Sequence, residues 1–152
     1  MKPTPSDWPR ISASVHYRDP ARAIDWLCEA FGFELRLKVE GDAGAIVHSE
    51  LELGGGVIMV SGEGGWKRLP DRPFGASPRS VGGKNTISLM VYVDDLDAHC
   101  ARARAAGAVI LVEPEISDYG DDYWVDRGYG CEDLEGHTWW FGQRLKTKGV
   151  PA

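Results

Sequence analysis

One short segment contains both the start and the stop signal of an α-helix: Asp19-Pro-Ala-Arg-Ala-Ile-Asp-Trp-Leu-Cys-Glu-Ala-Phe-Gly32. Asp19 is a favourable N-cap, Pro20 suits the first helical position, and Gly32 suits the left-handed conformation that ends many helices. Apolar residues recur between them at the spacing of one helix face, namely Ile24, Leu27, Cys28 and Phe31. The segment predicts a short amphipathic helix.

The same plan occurs a second time in the other half of the chain. A strand-like run at 11–17 precedes the first helix, and a similar run at 86–93 precedes a helical stretch from Asp94 to Gly107. Asp94 and Gly107 are as far apart in sequence as Asp19 and Gly32. Three residues would form the buried face of the second helix: Leu96, Cys100 and Ala103. An internal repeat of this kind predicts two copies of one structural unit.

Each helix is followed by three further strand-like segments. They are 33–39, 45–53 and 57–61 in the first half, and 109–112, 124–131 and 138–143 in the second. The predicted fold class is α+β, a single domain 1–152 of two βαβββ modules at about 10–61 and 86–145. The segment between them, 62–85, is rich in Gly and Pro and predicts a linker or lid without regular structure, in which Trp66 and Phe74 favour a lid.

Composition excludes several classes of protein. The chain has 17 Lys and Arg against 23 Asp and Glu, a net charge of −6, and a general nucleic-acid binder would need clustered basic residues. No apolar run is long enough to span a membrane, and the first residues do not resemble a signal peptide. Three cysteines without a C-x-x-C pair predict neither a disulfide framework nor a zinc ribbon. We expect a cytoplasmic protein with reduced thiols.

The strands that precede the two helices suggest a pocket. Alternation gives each strand one apolar face for the helix, formed by 11, 13, 15 and 17 in the first and by 87, 89, 91 and 93 in the second. The opposite faces bear Ser12, Ser14 and His16, and Ser88, Met90 and Tyr92. Small polar and adaptable side chains are typical of a ligand pocket, whereas Lys and Glu are typical of a solvated sheet. A partly solvated or dimer-covered sheet is the alternative.

Two motifs resemble the vicinal oxygen chelate superfamily, which includes glyoxalase I, bleomycin-resistance proteins and extradiol dioxygenases. The segment from Asp19 to Gly32 is similar to the family's first strand-to-helix motif, which ends in Phe-Gly. Trp124-Val-Asp-Arg127 and Glu132-Asp-Leu-Glu-Gly-His-Thr-Trp139 are similar to its closing strand–turn–strand signature. The resemblance implies a cupped sheet around a cavity, and it implies a homodimer. It is specific for the fold and weak for function, since one fold hosts many chemistries.

The family's four metal-ligand positions fall on residues that are poor metal ligands. By resemblance these positions are Ser12, Met59, Ser88 and Trp140, and none offers the imidazole, carboxylate or thiolate that a divalent metal prefers. The resemblance therefore implies no metal cofactor. It favours the branch typified by bleomycin-resistance proteins, which sequester a bulky drug in a metal-free cavity.

The leading prediction is a non-catalytic protein that binds a small, partly aromatic molecule. Acidic net charge mildly favours a cationic or neutral ligand. The predicted site consists of Ser12, Ser14, His16, Met59, Ser88, Met90, Tyr92 and Trp140, with Trp140 as a stacking surface.

Three alternatives stay open. A metal-free lyase or isomerase would use His16 as the base and Tyr92 as the acid. A metalloenzyme, such as a dioxygenase, would use His48 and Glu50, which alternate along one strand and share a face. An interaction protein would fill its concave face with its own side chains or with a partner subunit.

Overall fold

The computed structural model describes the backbone of residues 1–66 and 69–147 and the side chains of 1–64 and 75–147. The chain divides into two compact units, Met1–Lys84 and Asn85–Ala152, and each contains one α-helix and one four-stranded mixed sheet. The predicted α+β class with two βαβββ modules is confirmed. Within the part of the chain that the structure describes, neither α-helix is long and apolar enough to cross a membrane.

The first unit follows the order strand, helix, three strands. Its elements are β1 (Ala13–Tyr17), α1 (Pro20–Phe31), β2 (Glu34–Glu40), β3 (Ile46–Leu53) and β4 (Gly56–Gly62). The sheet order is β1-β4-β3-β2, in which β1 and β4 are parallel and the other pairs are antiparallel. The helix therefore crosses over from one edge strand to β2 at the opposite edge.

Helix α1 begins and ends at the predicted residues. The Asp19 carboxylate accepts the backbone N–H of Arg22 at 3.0 Å, Pro20 occupies the first turn, and Gly32 is left-handed with φ of 80°. One face of the helix is buried: Ala23, Ile24, Leu27, Ala30 and Phe31. The local start and stop signals thus determine the length of the helix, and its apolar face forms the core of this unit.

The first sheet has one buried and one open face. Val15 and Tyr17 of β1, with Ile58 and Val60 of β4, are buried on the core face. Because side chains alternate along a strand, their neighbours Ser14, His16, Met59 and Ser61 lie on the other face, where they are half-buried or exposed. This open face is where a ligand can reach the sheet.

The second unit repeats the topology. Its elements are β7 (Ser88–Tyr92), α2 (Leu96–Ala105), β8 (Val109–Asp118), β9 (Trp124–Glu132) and β10 (Thr138–Thr147), in the sheet order β7-β10-β9-β8. The predicted buried face of α2 is confirmed at Leu96, Cys100 and Ala103. Trp139, Phe141 and Tyr129 are fully buried and stack on one another in the core.

The structure corrects three expectations. Segment 62–85 is not without regular structure, since β5 (Gly64–Trp66) pairs with β6 (Leu69–Gly75) and a 3-10 turn covers Pro78–Ser80. Ile11 and Ile87 lie outside the strands and are exposed, because β1 begins two residues after Ile11 and β7 begins one residue after Ile87. Strand β8 continues past Pro114, which an edge strand tolerates. The predicted lid side chains, Trp66 and Phe74, lie outside the described side chains.

Candidate functional site

A cleft of about 690 Å³ lies over the open face of the first sheet. Its volume is within the range of small-molecule sites. It is lined by Ser14, His16, Arg18, Pro20, Ala45, Ile46, Val47, His48, Met59, Ser61, Gly62, Glu63 and Gly64. Three of the predicted ligand-binding residues, Ser14, His16 and Met59, are therefore in one cleft, together with His48 of the alternative metal site.

Strand register brings these side chains together. In the parallel pair of β1 and β4, Ser14 is opposite Met59 and His16 is opposite Ser61. Hydroxyl, imidazole and thioether groups thus alternate on neighbouring strands about 5 Å apart. The lining combines apolar surface with a few polar groups, as is usual for a site that binds a small organic molecule.

His16 is held at one end of the cleft. Its Nδ1 is 3.4 Å from the carbonyl oxygen of Gly62. The backbone of Gly75 lies against its ring, so closely that a Cβ at position 75 would clash with the imidazole. The ring is therefore fixed between β4 and the end of β6. This position suits a group that contacts a ligand, and the role of His16 as a base stays a prediction.

Arg18 and Glu63, which sequence analysis did not single out, form the wall beside His16. Arg18 donates from Nε to Ser80 Oγ and from Nη2 to the Arg79 carbonyl oxygen, both at 2.7 Å. The Glu63 carboxylate accepts the N–H of Ser77 at 2.6 Å. A hydrogen bond with the Ser80 side chain, which has the larger effect, and one with the Ser77 backbone lower the pKa of Glu63. The sequence signal that could have indicated these residues is their position: Arg18 directly follows β1, and Glu63 directly follows β4, the strand that pairs with β1.

His48 and Glu50 are held to each other at the cleft. Nε2 of His48 is 3.0 Å from Oε1 of Glu50, and Nε of Arg36 is 3.8 Å from the other carboxylate oxygen. Within 1–64 and 75–147, no three His, Cys, Asp or Glu side chains are close enough together to hold a metal ion. The alternative metal site at His48 and Glu50 stays a prediction with two candidate ligands.

The second unit presents an aromatic open face. Trp140 is opposite Met90 on β7 and opposite Gly130 on β9. Its ring lies over Gly130, where a Cβ would be 2.9 Å from Cζ3 of the indole. Trp140 is 38% exposed and Met90 54% exposed. The glycine thus lets the indole lie on the sheet and leaves its other face available for stacking.

Tyr92 is part of a polar network on this face. Its hydroxyl donates to Oδ2 of Asp126 at 2.8 Å and accepts from Nη2 of Arg144 at 2.7 Å. The Arg144 guanidinium also lies 4.8 Å from the ring centroid of Trp124. Because the phenolic proton is donated to a carboxylate, Tyr92 is suited to holding the side chains of Asp126 and Arg144 in position on this face. Its role as an acid stays a prediction.

The two remaining predicted residues are at strand starts. Ser12 precedes β1 and is half-buried, and it is not among the residues that line the cleft. Ser88 is the first residue of β7 and is exposed opposite Thr138.

Of the family's metal positions, as the resemblance assigns them, none bears a metal-binding side chain. Two hydroxyls, a thioether and an indole occupy them, and the indole of Trp140 packs on Gly130 as a flat surface. These groups are not the imidazole and carboxylate ligands of a divalent metal.

The chain belongs to the glyoxalase, bleomycin resistance protein and dioxygenase superfamily. The model of the Glyoxalase/Bleomycin resistance protein/Dioxygenase superfamily matches residues 12–141, which cover most of both units. A curated relative, the uncharacterized protein Mb0911c of Mycobacterium bovis, is 31% identical over 140 residues, with 91% of this chain and 85% of the relative covered.

Solved structures agree with this assignment. TioX from Micromonospora sp. ML1 is 35% identical, with a TM-score of 0.66, and the match covers 90% of this chain and 99% of TioX. TnmS3, an antibiotic binding protein from Streptomyces sp. CB03234, is 20% identical with a TM-score of 0.60, covering 88% of this chain and 93% of TnmS3. The second likeness concerns the fold alone.

Proposed function

We propose that this protein binds a small, at least partly aromatic molecule without covalent chemistry, on the open faces of its sheets. The supporting observation is the cleft of about 690 Å³, whose lining mixes apolar surface with Ser14, His16 and Met59. A solvated sheet would present Lys and Glu at these positions. The antibiotic-binding function in the name of TnmS3 is compatible with this proposal.

The aromatic preference is inferred from the second unit. Trp140 lies flat over Gly130 with its outer face accessible, and Met90 and Tyr92 beside it are also exposed. Stacking on an aromatic side chain contributes about 0.5–1.5 kcal/mol beyond the area buried. The cleft and the open sheet face around Trp140 are tested separately, each with a variant of its own.

Titration with planar aromatic probes such as 2-phenylbenzimidazole, followed by saturation-transfer NMR and calorimetry, tests the proposal. We expect saturable binding to the wild type. Met59→Glu, which introduces a charge into the cleft, and Trp140→Ala each test one surface, and we expect at least one to weaken binding about tenfold, which is about 1.4 kcal/mol.

Trp26→Phe on α1 is the matched control, because Trp26 packs edge-on against Phe31 away from both surfaces. It should leave the dissociation constant unchanged. Failure of every probe to bind the wild type saturably, or equal binding by all variants, would refute the proposal. We also propose a homodimer located in the cytoplasm, and light scattering of the purified protein tests the oligomeric state.

A further inference from the structure

We infer that residues 4–9 form a strap across the open face of the first sheet and set the length of the molecule that the cleft accepts. Trp8 and Arg36 hold this strap in place. The inference rests on the proposed function, because it concerns the same sheet face. It adds two specificity-determining residues that neither the family nor the strand pattern indicates.

The burial of Val57 is the first observation. Val57 is opposite Glu52 and alternates with Met59 and Ser61, so its side chain lies on the open face. It is only 3% exposed, whereas Met59 and Ser61 are half-buried. A segment on the open side of the sheet must therefore cover Val57.

The covering segment is the beginning of the chain. A cavity of about 410 Å³ at this end of the sheet is bordered by residues 4–9 on one side and by Arg36, Glu52, Gly55 and Val57 on the other. The strap thus lies over the sheet beyond Met59, where the cleft ends.

The strap has a defined shape and a defined anchor. Cζ of Arg36 is 5.7 Å from the ring centroid of Trp8, within the range of a cation–π contact. Nε of the same Arg36 is 3.6 Å from a carboxylate oxygen of Glu52. The N–H of Trp8 donates to the Pro5 carbonyl oxygen at 3.2 Å, and prolines at 3, 5 and 9 restrict the backbone further.

The position of the strap limits the space along β4. The cleft is lined by β4 and the residues after it from Met59 to Gly64, a run of roughly 17 Å at about 3.3 Å per residue. Removing the strap would add about two residues of strand, or roughly 7 Å, ending at Val57. A molecule of one or two linked ring systems fits the part of the face that the strap leaves open, and a longer molecule must displace the strap.

Thiol labelling tests the strap without any ligand. Val57→Cys places a thiol beneath the strap, and Ser61→Cys places a matched thiol on the same face in the uncovered cleft. We expect Trp8→Ala, and separately Arg36→Gln, to raise the maleimide labelling rate of Cys at position 57 at least tenfold, read by peptide mass spectrometry. The rate at position 61 should change less than twofold. Equal rates at position 57 with and without Trp8 would overturn the inference.

Two probes of related chemistry test the consequence for specificity. We expect Trp8→Ala to bind the long bisbenzimide dye Hoechst 33258 at least fivefold more tightly than the wild type does. Affinity for the short 2-phenylbenzimidazole should stay within twofold. An equal effect on both probes would overturn the role in length selection. If neither probe binds any variant, the proposed function fails, and the labelling result still decides whether the strap exists.

Discussion

Replacement of Asp133 by alanine should destabilise the turn that precedes β10, the strand that bears Trp140. The Asp133 side chain accepts the backbone N–H of Glu135 at 2.9 Å, the backbone N–H of His137 at 3.0 Å and the Nε1–H of Trp139 at 3.0 Å, and Nδ1 of His137 is 3.2 Å from its Oδ2. Asp133 is 4% exposed and Trp139 is fully buried, so water cannot replace the lost acceptor. Each buried donor left without an acceptor costs about 1–3 kcal/mol.

Asp133→Ala should therefore lower the free energy of unfolding by at least about 3 kcal/mol. Asp133→Asn keeps one acceptor oxygen for the backbone donors and loses the acceptor for Trp139, so its loss should be about 1–3 kcal/mol. Urea denaturation followed by near-ultraviolet circular dichroism measures both, and Asp122→Ala, an exposed carboxylate, should stay within about 0.5 kcal/mol of wild type. If Asp133→Ala loses less than about 1 kcal/mol, the turn is not organised by this carboxylate.

Three further predictions concern other parts of the chain. Hydrogen bonds lower the pKa of Glu63 below its usual value of 4.5, so its stabilising contribution is present above that value and is lost as the pH falls through the folded-state pKa. The stability difference between wild type and Glu63→Gln should thus shrink between pH 7 and pH 3 in urea titrations, and a constant difference would contradict this. Gly130→Ala should displace the Trp140 ring and weaken aromatic binding. A Cβ at Gly142 would be 2.5 Å from Cε at the flexible end of Met90 and 3.4 Å from Tyr92, so calorimetry should show a smaller loss of affinity for Gly142→Ala than for Gly130→Ala. Burial raises the pKa of Cys131 to about 12, so this thiol should resist iodoacetamide at pH 8 until urea is added, and rapid labelling of the folded protein would be the contrary result.

The sequence was sufficient for the fold because its signals are local. The Asp19 cap, the Gly32 stop and the apolar face between them fix α1, and their repetition predicts the second module. Strand alternation likewise puts Trp139 and Trp140 on opposite faces of β10, where Trp139 is fully buried and Trp140 is 38% exposed.

The surroundings of the candidate site could not be predicted in the same way. Arg18 and Glu63 contact the turn at Pro78–Ser80 over a long sequence separation, and periodicity contains no information about such contacts. The Gly-rich composition of 62–85 predicts a loop, yet part of it pairs as strands, because backbone pairing there does not depend on apolar alternation. The burial of Val57 likewise depends on where residues 4–9 pack, which the strand pattern does not indicate.

The most direct measurement is a titration of ¹⁵N-labelled protein with 2-phenylbenzimidazole, followed by the backbone amide and tryptophan indole signals. We expect saturable shifts at Ser14, Met59 and Ser61 or at the indole N–H of Trp140, with the helices α1 and α2 unaffected. Absence of any saturable shift, or shifts confined to the helices, would contradict the claim that the open sheet faces bind an aromatic molecule.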